Sequence, residues 1–122
     1  MSTTITLNGE EYELALTIGS LKGLGLIPNN LENNLDKMTD ILSGLLTGDP
    51  FTLLNTLKIL LKKDNVKPEE IEAALAEDNT PELFDKVETF FETSPLTKVM
   101  AAKIVPALKQ HLSKLDEVEV SD

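Results

Sequence analysis

The first 18 residues alternate apolar and polar side chains in a way the rest of the chain does not, and this restricts the possible folds more than any other feature. Ile5 and Leu7 precede Asn8-Gly9, and Tyr12, Leu14, Leu16 and Ile18 follow it. A period of two interrupted by Asn-Gly predicts a β-hairpin, because the tight turn that matches strand twist needs positive φ at both central residues, which asparagine and glycine tolerate. The pattern places strands over 3–7 and 11–17. Glu11 and Glu13 alternate with Tyr12 and Leu14, so one face of the ribbon is wet and the other needs a cover. A two-stranded ribbon is not stable by itself in water, so the remaining residues must supply that cover. Their apolar spacing is helical. The expected fold class is α+β, mainly α: an N-terminal hairpin followed by five or six helices in one domain over 1–115, with an acidic, frayed tail over 116–122.

Proline marks most of the helix starts. In Asp49-Pro50, Thr80-Pro81 and Ser94-Pro95 a capping or turn residue is followed by proline at the first helical position, where the missing N–H would be unpaired anyway. Lys67-Pro68 lacks a good cap but places Glu69, Glu70 and Glu72 near the positive end of the helix dipole. Before these, Leu21, Leu24 and Ile27 sit at helical spacing, while Gly19, Gly23 and Gly25 each cost about 1 kcal/mol against alanine, which predicts a short, frayed helix over 19–27. Pro28-Asn29-Asn30 reads as a loop and Asn34 as the N-cap of a helix over 35–47, with Leu35, Met38, Leu42, Leu45 and Leu46 buried and Gly48 as its stop. The helix over 50–63 buries Leu53, Leu54, Leu57, Leu60 and Leu61 and leaves Ile59 on the polar side. Helix 81–92 carries Leu83, Phe84, Val87, Phe90 and Phe91 on one face and should anchor the core. The last helix, 95–115, aligns Leu96, Met100, Ile104, Leu108, Leu112 and Leu115, with a kink or break expected at Pro106.

Composition then excludes several function classes. The 122 residues include 21 acidic and 11 basic side chains, a net charge of −10, and every basic one is lysine. Duplex binding wants positive charge and arginine forks, and single-strand binding wants exposed aromatics, so nucleic acid is not an expected partner. With no cysteine and a single histidine, thiol chemistry, disulfides and His-rich metal sites are out. No apolar run is long enough for a signal peptide or a membrane span, and the expected compartment is the cytoplasm.

No constellation of catalytic groups survives inspection. His111 lies at the edge of the last stripe, and its neighbour Ser113 points elsewhere around the helix axis. The acids Glu69, Glu70, Glu72, Glu77 and Asp78 lack the spacing of a calcium loop or a di-metal bundle and read as a solvated face. Gly19-x-x-x-Gly23-x-Gly25 lacks the Lys-Ser/Thr ending of a phosphate loop. Lys58, Lys62, Lys63 and Lys67 gather near a helix end, where the dipole accounts for them, with a docking patch for an acidic partner as a secondary reading. The expectation is therefore a protein that is not an enzyme, with no catalytic, cofactor-binding or metal-binding residues. Contact with partners would run through the hairpin residues Ile5, Leu7, Tyr12 and Leu14 and through Ile59, since a ribbon edge can accept a strand and a leucine-rich helix can enter a neighbour's groove.

The run Ile5-Thr6-Leu7-Asn8-Gly9-Glu10-Glu11-Tyr12-Glu13-Leu14, followed by Leu16-Thr17-Ile18-x-x-Leu21-Lys22-x-Leu24, resembles the tail assembly chaperones of long-tailed phages and prophages of Gram-positive bacteria. The likeness covers about the first 25 positions, and length, acidity and helical remainder are also similar. Gly23 and Gly25 depart from the helix-forming residues expected there. The resemblance implies a protein that coats the tape measure protein until tail tube protein polymerises around it. It also implies a homo-oligomer that associates with a longer, frameshifted form, works in the cytoplasm of the bacterial host and is absent from the mature virion. The alternative weighed against it is an acidic inhibitor of phage origin that mimics nucleic acid. The lysines at 58, 62, 63, 67 and 86, interleaved with the central acids, count against that mimic.

Overall fold

A computed structural model of the chain describes residues 3–76 and 80–120, and of 115–120 the backbone alone. Two strands, β1 (Thr3–Leu7) and β2 (Glu10–Leu14), pair antiparallel with Thr3 opposite Leu14 and Leu7 opposite Glu10. Asn8 and Gly9 both take positive φ, 52° and 84°, as the two-residue turn requires. β2 stops three residues short of the expected Thr17, because Thr17 instead caps a helix.

Six α helices follow among the described residues: α1 (Ile18–Gly23), α2 (Leu31–Thr47), α3 (Pro50–Leu60), α4 (Pro68–Leu75), α5 (Thr80–Thr93) and α6 (Lys98–Val120). A single 3-10 turn, Lys62–Asp64, follows α3. The fold is thus α+β and mainly α. α2 packs against α3, α5 and α6. α3 carries α1 and α4, and β1 rests on α4 and α5. The apolar face of the hairpin is covered in this way, with Ile5, Leu7 and Leu14 buried. Burying each such side chain contributes about 1.5–3 kcal/mol. The turn is also tied down, since Asn8 Nδ2 donates to the Glu70 carbonyl at 2.9 Å.

The centre is built from Met38, Leu42, Leu53, Leu57, Leu60, Leu61, Ile71, Leu83, Val87 and Phe91. Phe90 and Phe91 meet edge to face, with ring centroids 5.7 Å apart, so α5 holds the aromatic part of the core as its spacing predicts. Leu46 and Phe84 are only half-buried.

Several further boundaries differ from the sequence expectation, among them the starts of α2 and α6. α2 begins one turn early, because Asn30 rather than Asn34 is its N-cap, accepting from the Asn33 N–H at 3.1 Å. α6 begins at Lys98 rather than Pro95, because residues 94–97 form a turn in which the Thr97 N–H donates to the Ser94 carbonyl. This later start rotates the buried stripe to Ala101, Ile104 and Val105 and leaves Leu96 exposed. Pro106 does not break α6, which runs on to Val120. Both Pro106 and Ala102, whose carbonyl loses its partner, face solvent, where water can replace that bond. Ser121 and Asp122 of the acidic tail lie outside the described residues.

Candidate interaction surface

The α1–α2 connection shapes an apolar cleft. Thr17 caps α1 by accepting from the Ser20 N–H at 3.1 Å. The helix ends where Gly25 turns left-handed at φ 96°. There the Gly25 N–H donates to the Lys22 carbonyl and the Leu26 N–H to the Leu21 carbonyl, each at 3.0 Å. This closing pattern puts the reversal residue at positive φ, which glycine adopts without steric cost.

Two asparagines from the first turn of α2 then hold the loop. Asn34 accepts from the Ile27 N–H at 2.8 Å and donates to the Ile27 carbonyl at 2.9 Å. Asn33 donates to the Gly25 carbonyl at 3.0 Å. With its backbone clamped, Ile27 joins Ile18, Leu21, Leu26, Pro28 and Met100 around a cleft of about 240 Å³, with Lys22 at its border. Ile18 is 60% exposed, Leu31 at the start of α2 69%, and Val99, beside Met100, 62%. Ile18 and Ile27 thus stand exposed at the border of an apolar cleft.

The residues expected from sequence to meet partners lie elsewhere. Ile5, Leu7 and Leu14 belong to the chain's own core, and Tyr12 is half-buried against it on the same side of the hairpin. The Tyr12 hydroxyl donates to Glu10 Oε2 at 2.8 Å. That hydrogen bond, with the nearby carboxylate charges, raises the phenol pKa. Ile59 is apart from them and packs on α1, where a β-carbon on Gly23 would come 3.1 Å from its Cγ2. Ile59 is therefore covered in part from within the chain and stays half-buried at the wall of a cleft.

What the hairpin leaves open is backbone. Counting from the hydrogen-bonded pair Leu7–Glu10 that closes the turn, the outward N–H and C=O groups belong to Thr4, Thr6, Glu11 and Glu13. Among the described residues none of these groups is hydrogen-bonded to another element.

Sequence reasoning passed over Ile18, Ile27, Leu31 and Val99. Leu31 and Val99 carry a usable signal, since both fall off the buried stripe once the helix starts are known. Ile18 and Ile27 do not, because their exposure follows from where α1 is capped and stopped.

The remaining candidates show no convergence. His111 and Ser113 are exposed on α6, and Glu69, Glu70 and Glu72 are exposed on α4. Glu77 and Asp78 lie outside the described residues. Among the described residues no group of three or more histidine or acidic side chains is placed to hold a metal. No helix among them is long and apolar enough to cross a membrane.

One acid is unusual. Glu88 on α5 is only 9% exposed, and its Oε1 has no hydrogen-bond partner among the described residues. Burial first, then a hydrogen bond with Glu92 and the charge of that neighbour, push its pKa up to about 7. Lys109 on α6 opposes the shift and Asp85 adds to it.

Comparisons of the chain with protein-family models, with curated proteins and with solved structures gave no match.

Proposed function

We propose that this chain is a non-catalytic protein-binding module that acts as a phage tail assembly chaperone. It self-associates, holds the tape measure protein and hands it over to tail tube subunits. The observation that carries the reading is the solvent-open apolar cleft bordered by Ile18, Ile27 and Met100. Such a cleft accepts the apolar stripe of a client helix. The unpaired strand edges offer a second, backbone-mediated contact through which copies associate, and the N-terminal run that resembles the chaperone family forms that hairpin.

A coat that must cover a long helical client and later leave it needs modest affinity per copy, multiplied along the client, rather than one very tight site. A charge of −10 on each copy keeps free subunits apart and makes their association dependent on salt.

The test is co-purification with a tape measure protein, together with light scattering over a range of protein and salt concentrations. The expected result is a concentration-dependent oligomer that retains the client. Ile18→Glu/Val99→Glu should lose the client with its thermal midpoint unchanged. A strict monomer that binds no helical client would overturn the proposal.

A further inference from the structure

The largest of the described clefts, about 490 Å³, lies on a different face, between α1 and the end of α3. Its apolar wall is formed by Ala15, Ile59 and Leu60, and Lys58, Lys62 and Lys63 line it, with no carboxylate among the lining residues. Lys63 pairs with Asp64 at 2.9 Å, whereas Lys58 and Lys62 are exposed and have no ion-pair partner among the described residues. Lys67 is not part of it and opens α4.

A place at the negative end of α3 accounts for cations here. It does not account for their convergence on an apolar hollow in a chain whose net charge is −10. That combination suits a ligand carrying carboxylates and small apolar side chains together. Residues 116–122, with the sequence Asp-Glu-Val-Glu-Val-Ser-Asp, are such a segment.

α6 runs on into this segment as far as Val120. α6 packs chiefly on α2 and α5, and from Pro106 to Lys114 its side chains are exposed or, at Leu108 and Leu112, half-buried. We infer that the lysine cleft of one copy takes the acidic 116–122 segment of a second copy, so that Lys58 and Lys62 meet its carboxylates and one of its valines meets the apolar wall. This inference rests on the self-association proposed above and names one of its contacts.

The test is a charge exchange on the full chain at about 0.1 M salt, where repulsion beyond about 10 Å is screened and contact pairs persist. Lys58→Glu/Lys62→Glu alone, and Asp116→Lys/Glu117→Lys/Glu119→Lys alone, should each weaken association about tenfold, as expected for a small network of charge pairs. An equimolar mixture of the two variants should recover it. Circular dichroism and the thermal midpoint check that both variants fold. A synthetic 116–122 peptide should bind the unaltered chain and fail to bind the lysine variant.

Association unaffected by either variant, or no recovery on mixing, overturns this contact and leaves self-association standing. A monomer at every concentration overturns both. Uptake of inorganic phosphate without uptake of the peptide also overturns the contact, since the cleft would then be a small-anion site.

Discussion

Thr52 occupies the space that a β-carbon on Gly44 would need. Its Oγ1 is the atom nearest to the position such a carbon would take, with its Cβ and Cγ2 also in contact. Gly44 is buried on α2, so α2 and α3 approach closely at this point. A glycine in mid-helix costs about 1 kcal/mol in propensity, and here the close crossing is what it permits.

Gly44→Ala should therefore destabilise the fold by about 1–3 kcal/mol despite its better helix propensity. Gly19→Ala, where the added carbon meets only ordinary contact at 3.6 Å, should be neutral or stabilising by up to about 1 kcal/mol. Urea unfolding of the two variants side by side checks the contrast, and equal effects would contradict the packing.

Glu88 should make stability depend on pH in a definite direction. Its folded pKa of about 7 lies above the ordinary 4.5. Between these values the folded chain holds a proton the unfolded chain has released, so stability falls as pH rises from about 4.5 through 7. The full penalty applies above 7, at most about 3 kcal/mol. Glu88→Gln should flatten that decline and raise the thermal midpoint at pH 8, as calorimetry at pH 5 and pH 8 would show. A variant that keeps the decline would mean another group causes it.

The Thr97 hydroxyl donates to the Phe91 carbonyl at 2.7 Å and is fully buried. This bond sets the start of α6 and hence the rotation of its apolar stripe. Thr97→Val should cost about 1–3 kcal/mol by leaving that carbonyl unpaired, while Thr97→Ser should keep most of the stability. A valine variant as stable as the parent would show that the bond contributes nothing.

Asn34→Ala removes both hydrogen bonds to the Ile27 backbone. The expected loss is about 1–2 kcal/mol. Amide exchange should quicken at Ile27 and stay unchanged in α5. Because the clamp shapes the apolar cleft, affinity for the helical client should fall with it, although Asn34→Ala adds no charge to the surface.

Local chemistry made several elements readable in advance. Asn8-Gly9 can close a two-residue turn because of its φ preferences, and the proline at 50, 68 or 81 marks a helix start because it lacks an N–H, all of which depends on neighbours in sequence alone. The leucine and phenylalanine stripes of α2, α3 and α5 were legible for the same reason, since helical periodicity is a property of one segment. Asn34 was misread because an asparagine before an apolar run looks the same whether it caps its own helix or clamps a loop seven residues away.

The five side chains expected to bind partners show the limit most clearly. Sequence by itself determined that Ile5, Leu7, Tyr12, Leu14 and Ile59 needed cover. Only the tertiary arrangement decided that α4, α5 and the bare surface of Gly23 provide it, and that Ile18, Ile27, Leu31 and Val99 are left facing water. The physical reason is that hydrophobicity specifies a demand for burial without direction, whereas which surface meets that demand depends on helix starts, a left-handed glycine and the crossing of distant helices.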